Sequence, residues 1–265
     1  MRNEFHHDWH NTGRAGNYST YIGFPPDPWQ RKFLESQAKR IISNTSRQVG
    51  KSTTVATKAV HRAKRKKQFI LLLAPSERQS LELMRKVNDV LLLDKSLESI
   101  PTNKKSEKEF TNGSRILSLP ASEKTIRGYS AVDLMIIDEA SRVSLSLINT
   151  VSPMLAVSDG DLILLSTPWV KSGFFYDIWV DEEDDEWQKF MVPATECPRL
   201  SPEFLAREKK RMGDLWFRRE YMCEFVEGDE TLFSFDLIRS AFEDKVKTYY
   251  DIPDQYSDKV EVFNF

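Results

Sequence analysis

The chain has 265 residues, a formal net charge of −2 and two cysteines. That length suits one large domain, or one domain with a smaller appendage. The longest uninterrupted apolar run, Phe69 to Ala74, is far too short to cross a bilayer, and the polar N-terminus is unlike a secretory leader, so a soluble, unsecreted protein is expected. Cys197 and Cys223 stand without metal-ligand or CxxC spacing, so neither a disulfide framework nor a zinc site is indicated, and a reducing compartment fits. The small net charge conceals a basic stretch at 62–67 and an acidic one at 181–186, so the total says nothing about nucleic acid.

Residues 1–23 read as a polar arm without sustained period, with folded structure expected from about Pro25. A short helix is expected over 31–40, then a strand starting at Ile41-Ile42 that runs into the loop Ser43-Asn44-Thr45-Ser46-Arg47-Gln48-Val49-Gly50-Lys51-Ser52. Val55, Ala56, Ala59, Val60 and Ala63 then recur at helical spacing. The run Phe69–Leu73, closed by Pro75, reads as a strand buried on both faces of a parallel sheet. A helix over 76–92 follows. Residues 109–111 and 115–119, joined through Asn112-Gly113, read as a hairpin in which Asn-Gly supplies the positive φ angles of a tight turn. Strands at 134–137 and 162–165 complete an alternation of strands and helices, which implies an α/β fold with a mostly parallel sheet covered on both faces. The division expected is a core over 24–170, a smaller subdomain over 171–228 with helices near 172–180, 202–211 and 214–224 and a strand near 190–192, and a linker over 229–265 with one short helical segment at 235–242.

The loop carries the second half of a phosphate-binding motif. Gly50, Lys51 and Ser52 are all present, whereas threonine stands at position 45, where the opening glycine of G-x-x-x-x-G-K-[ST] would be. Such a loop aims backbone N–H groups at phosphate oxygens from a helix N-terminus, so Ser46 to Thr53 are the candidate cradle, with Lys51 on the β and γ phosphates and Ser52 on Mg²⁺. An exposed turn before a helix is the bland alternative. Context weighs against it: Leu134-Met135-Ile136-Ile137-Asp138-Glu139 describes a buried strand that delivers two acids to the ligand edge of the sheet, Asp138 toward Mg²⁺ and Glu139 toward the attacking water. Asp-Glu as a mere helix cap is the corresponding alternative.

With both motifs placed, the chain resembles the ATPase part of the large terminase subunit of tailed bacteriophages, a DNA-packaging motor. Ser46 to Ser52 follow the family's Walker A form Ser-Arg-Gln-x-Gly-Lys-[Ser/Thr], Leu134–Glu139 its Walker B with catalytic glutamate, and Ser166-Thr167-Pro168 its coupling motif. Pro28-Trp29-Gln30 looks like its adenine-recognition motif, and Thr125–Tyr129 like the segment preceding Walker B; the likeness spans residues 24 to 230. The resemblance implies a P-loop NTPase of the ASCE type with a small lid subdomain, ATP and Mg²⁺ as ligands, and double-stranded DNA, the prohead portal, the small terminase subunit and a self-associated, pentameric ring as partners. It places the protein in the host cytoplasm and transiently at the portal, with no membrane. It allows an arginine finger from Arg47 in cis or from Arg127 in trans; Arg127 in trans is the expectation adopted, with Arg47 a sensor or subunit contact.

Weaker signals take plainer readings. His6, His7, Asp8 and His10 are expected to be solvated rather than metal-bound. The basic stretch is expected to suit a helix C-terminus before DNA, and Trp216, Phe217 and Tyr221 to pack rather than stack on bases. The acids after Gly228 lack the apolar strands that would present them to a two-metal site, so no nuclease activity is expected of these residues. Two competing readings are a helicase or translocase ATPase of superfamily-2 type, which needs a second RecA-like domain, and a nucleotide-binding scaffold, which retention of Glu139 disfavours.

Overall fold

A computed structural model describes residues 14–95 and 100–227. An eight-stranded sheet runs β3-β4-β5-β2-β6-β7-β1-β8. Its six consecutive members β5 (Arg115–Pro120), β2 (Phe69–Ala74), β6 (Leu134–Asp138), β7 (Asp161–Ser166), β1 (Arg40–Thr45) and β8 (Trp187–Val192) are mutually parallel, while β3 (Thr102–Asn103) and β4 (Glu107–Glu109) add an antiparallel border. The fold is α/β, as expected.

The uninterrupted apolar runs are explained by the pleat. In β2, Ile70 and Leu72 face one core while Leu71 and Leu73 face the other; in β6, Leu134 and Ile136 divide from Met135 and Ile137 in the same way. One face is covered by α1 (Ala15–Tyr21), α2 (Pro28–Glu35), α3 (Lys51–Arg65) and α4 (Glu77–Leu93). Buried Ala56, Ala59 and Ala63 let α3 lie close on the strands, and the Ser76 hydroxyl caps α4 by accepting from the Gln79 N–H. The other face is covered by α6 (Leu145–Ala156) and α7 (Phe174–Val180). Beyond β8, α8 (Pro202–Met212) and α9 (Asp214–Met222) pack Leu205, Phe217 and Tyr221 on Ala194.

Several expectations change. Order begins earlier than Pro25: Tyr18 of α1 and Ile22 just after it are buried in the first core, an apolar anchoring too short to show periodicity in sequence. The helix expected over 31–40 starts at Pro28 and stops at Glu35, because Asp27 and Gln30 form a reciprocal capping box with proline in the first turn. The helix α6 was not expected at all, and the short α5 (Glu123–Ile126) also went unread. Asn112-Gly113 is no two-residue turn, since only Gly113 takes positive φ (+80°). Phe110 N–H bonds Ser114 O across a longer loop, and Asn112 instead donates from Nδ2 to Ala63 O at 2.8 Å, capping the end of α3. The strand expected near 190–192 is β8, which continues the central sheet beside β1. The histidine-rich arm, the 235–242 helix and the acids after Gly228 lie outside the described residues.

Candidate nucleotide site

The topology brings the two motifs to one edge. Strand β7 lies between β1 and β6, in register Asn44 to Ser166 and Asp138 to Leu165, so the loop after β1, the acids after β6 and Ser166-Thr167 share the carboxyl ends of three adjacent strands.

Threonine at position 45 is accommodated because no left-handed residue is needed there. Thr45 is the last residue of β1, in register with Val192 of β8, fully buried, its hydroxyl donating to Ser166 O at 3.4 Å. The loop turns later, at Gln48 (φ +62°) and Gly50 (φ +89°). Ser46 and Arg47 are pinned through their amides, Ser46 N–H to Val192 O and Arg47 N–H to Glu220 O. A Cβ at Gly50 would sit 2.9 Å from Gln30 Nε2, so close approach as well as φ requires glycine there. Buried Val49 and half-buried Gly50 then lead directly into Lys51, Ser52 and Thr53, the first turn of α3.

Lys51 Nζ lies 2.5 Å from Glu139 Oε1 and 3.9 Å from Asp138 Oδ1, and Ser52 Oγ donates to Asp138 Oδ2 at 3.1 Å. Glu139 adopts a left-handed backbone (φ +52°), which costs about 1 kcal/mol and is held by its N–H on Asp138 Oδ1 at 3.0 Å. Its second oxygen, Oε2, accepts from Ser166 Oγ and Thr167 Oγ1, each at 3.4 Å. Ser141 ties the same segment, 2.7 Å from Ser166 Oγ and 3.0 Å from Thr167 O. Pro168, buried, closes it.

Burial pushes both carboxyls upward, and Lys51 sets them apart. For Asp138, desolvation raises the pKa, the neighbouring Glu139 charge adds to it, and Lys51 and Ser52 only partly offset the rise. For Glu139, desolvation also pushes upward, but Lys51, as charge and as hydrogen-bond donor, outweighs it, with Arg142 and Arg47 assisting, so Glu139 is held below the ordinary glutamate range. An ionised glutamate beside a lysine is an acceptor able to orient water and receive a proton. Ser52 and Asp138 offer hard oxygen donors whose number and type suit Mg²⁺, which takes few protein ligands alongside phosphates and waters.

The other expected residues lie at varied distances from this centre. Gln30 is fully buried: Oε1 accepts the Asp27 N–H at 2.8 Å, while Nε2 donates to Thr54 Oγ1 at 3.0 Å and Val49 O at 3.5 Å. Its amide braces the loop from behind. Arg47 is ion-paired with Glu220 of α9. Arg127 is not gathered into the site; on the exposed end of α5 it pairs with Glu123 at 2.7 Å. The basic stretch serves the end of α3, with Arg62 on Asp161 and Lys64 on Asp94, and a cleft of about 770 Å³ beside it opens at the opposite, amino-terminal edge of the sheet.

Sequence reasoning missed two groups here. Arg199 donates from Nη2 to Val49 O at 3.0 Å and approaches Asp27 Oδ2 with Nη1 at 2.7 Å. Arg142 and Arg219 lie over indole rings: Arg142 is 3.9 Å from the Trp169 ring centre, and Arg219 is 4.4 Å from Trp169 and 3.8 Å from Trp216. This column joins the turn after Glu139, the residue after Pro168 and α9. The two arginine partners come from separate elements, the turn after Glu139 and α9, and left no local pattern.

A parallel α/β sheet with a Gly-Lys-Ser loop and paired acids at its carboxyl edge defines the class of P-loop nucleotide-binding proteins. The family model described as terminase large subunit, T4likevirus-type, N-terminal, matches residues 42–240, and the chain belongs to that family. A curated relative, the large terminase subunit of Thermus phage G20c, is 24% identical over 251 residues, covering 80% of this chain and 51% of its own length; the chain thus spans about half of that relative. Among solved structures, the large terminase ATPase domain of Thermus phage P74-26 matches with TM-score 0.67 at 22% identity, over 78% of this chain and 97% of that one. The large terminase of bacteriophage HK97 matches with TM-score 0.63 at 18% identity, over 75% and 50%. That of a thermophilic bacteriophage, solved with ATP-γ-S, matches with TM-score 0.60 at 15% identity, over 76% and 53%.

Proposed function

We propose that this chain is the ATP-hydrolysing motor domain of a viral DNA-packaging terminase, coupling Mg-ATP hydrolysis to translocation of double-stranded DNA into a prohead. The observation that carries the reading is the meeting of Lys51, Ser52, Asp138, Glu139, Ser166 and Thr167 at one sheet edge. Membership in the large-terminase family supports it, as do the nucleotide complexes of the thermophilic relative.

In this reading the amides of Ser46 to Thr53 receive the phosphates and Lys51 leaves Glu139 for the β and γ oxygens. Ser52 and Asp138 would hold Mg²⁺, which would supply charge neutralisation to the triphosphate. Glu139, freed of Lys51 but still ionised, orients the attacking water and accepts its proton. Ser166 and Thr167, bonded to Glu139 before the reaction, register its release and pass the change to Trp169 and α9. Of the lid expected over 171–228, α7 packs on the sheet and β8 belongs to it, so the moving part is α8 and α9. Arg127 leaves Glu123 to serve the neighbouring subunit of a ring, and Arg47 senses the γ-phosphate from its place on Glu220. Portal and small terminase subunit are the proposed partners, and the host cytoplasm with transient residence at the portal is the proposed location.

The test is ATP turnover by wild type, Glu139→Ala, Arg127→Ala and an equal mixture of the two variants. Each variant alone is expected to be inactive, and the mixture to regain activity because one subunit type supplies the finger and the other the glutamate. A mixture as inactive as its parts excludes the finger in trans. Calorimetry in which Mg-ATP-γ-S uptake is absent, or survives Lys51→Ala unchanged, overturns the whole reading.

A further inference from the structure

Arg199 belongs to none of the motifs above, yet it touches the phosphate loop itself. It follows the short turn Ala194–Glu196 beyond β8, the strand beside β1. Its guanidinium donates from Nη2 to Val49 O and forms an ion pair through Nη1 with Asp27 Oδ2, an oxygen that accepts no hydrogen bond. It borders Gly50 directly, since a Cβ built there would be 3.6 Å from Nη2. Gln30 borders the same glycine from the other side, but its amide is committed to Asp27, Thr54 and Val49 and has no exposure. Trp29 is equally withdrawn, packed edge-on against Phe33 in the core. The Arg199 side chain is 49% exposed.

We propose that Arg199 is the base-stacking residue of the nucleotide site, presenting the flat face of its guanidinium to the purine of a nucleotide whose phosphates lie on the loop. The proposal rests on the nucleotide reading given above and adds the residue that holds the base. The chemistry follows from the anchoring. A guanidinium held at its edge by the loop carbonyl and half exposed to solvent keeps planar surface for stacking, and its ion pair with Asp27 at the start of α2 places it beside the loop before any ligand arrives. Stacking of this kind reads the aromatic surface of a base rather than its hydrogen-bonding edge, so purines are favoured over pyrimidines with little distinction between adenine and guanine.

The experiment compares a ligand with a base to one without. Mg-ATP-γ-S and Mg-tripolyphosphate are titrated calorimetrically into wild type, Arg199→Ala and Arg199→Lys, with thermal unfolding of each variant recorded. Arg199→Ala is expected to weaken ATP-γ-S about tenfold while leaving tripolyphosphate within about twofold. Arg199→Lys is expected to match the alanine variant, because an ammonium keeps the charge and lacks the plane. If Arg199→Ala does not fold, the lysine variant decides the matter by the same ratio. Equal weakening of both ligands makes Arg199 a brace of the loop carbonyl and overturns the proposal, as does unchanged ATP-γ-S affinity. Failure of wild type to bind either ligand strikes the nucleotide reading itself, whereas wild-type binding with an unchanged ratio strikes only Arg199.

Discussion

Lys51 and Glu139 form an ion pair 2.5 Å long between the first turn of α3 and the tip of β6, with both side chains largely withdrawn from solvent. The lysine that would meet the phosphates is thus held by the glutamate that would activate water. Binding has to exchange this pair for a phosphate contact. Glu139→Ala is therefore expected to bind Mg-ATP-γ-S at least as tightly as wild type, while turnover falls by about 10² to 10⁴. Calorimetry and steady-state hydrolysis on one preparation check both halves; weakened binding by Glu139→Ala contradicts the exchange.

The same pair sets an acid dependence. Glu139 has a folded pKa below its unfolded value, so its contribution to stability is present above the ordinary glutamate range, near 4.3, and is lost as pH falls through the depressed folded value. The stability advantage of wild type over Glu139→Gln, on the order of 1 to 2 kcal/mol near neutrality, is expected to shrink as pH drops below about 4. Urea unfolding of both proteins across pH 3 to 7 measures it. A difference constant over that range refutes the assignment.

Gly50→Ala carries two penalties at once. The φ of +89° is strained for alanine, and the new Cβ meets Gln30 Nε2 at 2.9 Å. Together these are expected to cost about 1 to 3 kcal/mol of stability and to abolish nucleotide uptake, because relief requires the loop or the α2 capping box to shift. Thermal unfolding and ligand titration are the checks. Gly23→Ala is the control: its φ is also positive, +82°, but nothing lies within 4 Å of the added carbon.

Glu220 and Arg47 are unequal partners. Glu220 is buried and serves both Arg47 and, at 3.3 Å, the buried Arg219, whereas the Arg47 side chain is 59% exposed. Glu220→Gln is therefore expected to destabilise by about 1 to 3 kcal/mol, and Arg47→Ala by less than about 1 kcal/mol. Parallel denaturation curves decide it, and the reverse order refutes it.

Legibility from sequence followed how local the cause was. The β2 and β6 strands were readable because burial on both faces leaves a continuous apolar run, and the acids at the end of β6 were readable because a strand tip in a parallel sheet is a ligand edge. The loop was readable from Gly50, Lys51 and Ser52. What escaped was settled by tertiary context. Leu147, Val151, Met154 and Leu155 do carry a helical period, but Pro153 within α6 obscured it. Asn112 looked like a turn residue and is spent on the end of α3. Gln30 is enclosed only because the capping box and Thr54 close around it. Arg199 and Glu220 reach the loop from segments more than a hundred residues downstream, and nothing near them in the chain announces it.

The end position of β8 in the sheet gives the acidic run a use. Among the described residues, β8 is bonded to β1 on one side and to no strand on the other, which leaves an open strand edge before the buried Val192. Any extended segment, including one from another copy of this chain, would find a template there. The chain enters that strand through six consecutive carboxylates, Asp181 to Glu186, of which Glu186 is paired with Arg40 at 3.3 Å. Charge beside an open strand edge disfavours pairing with another acidic segment, a second copy of this one included.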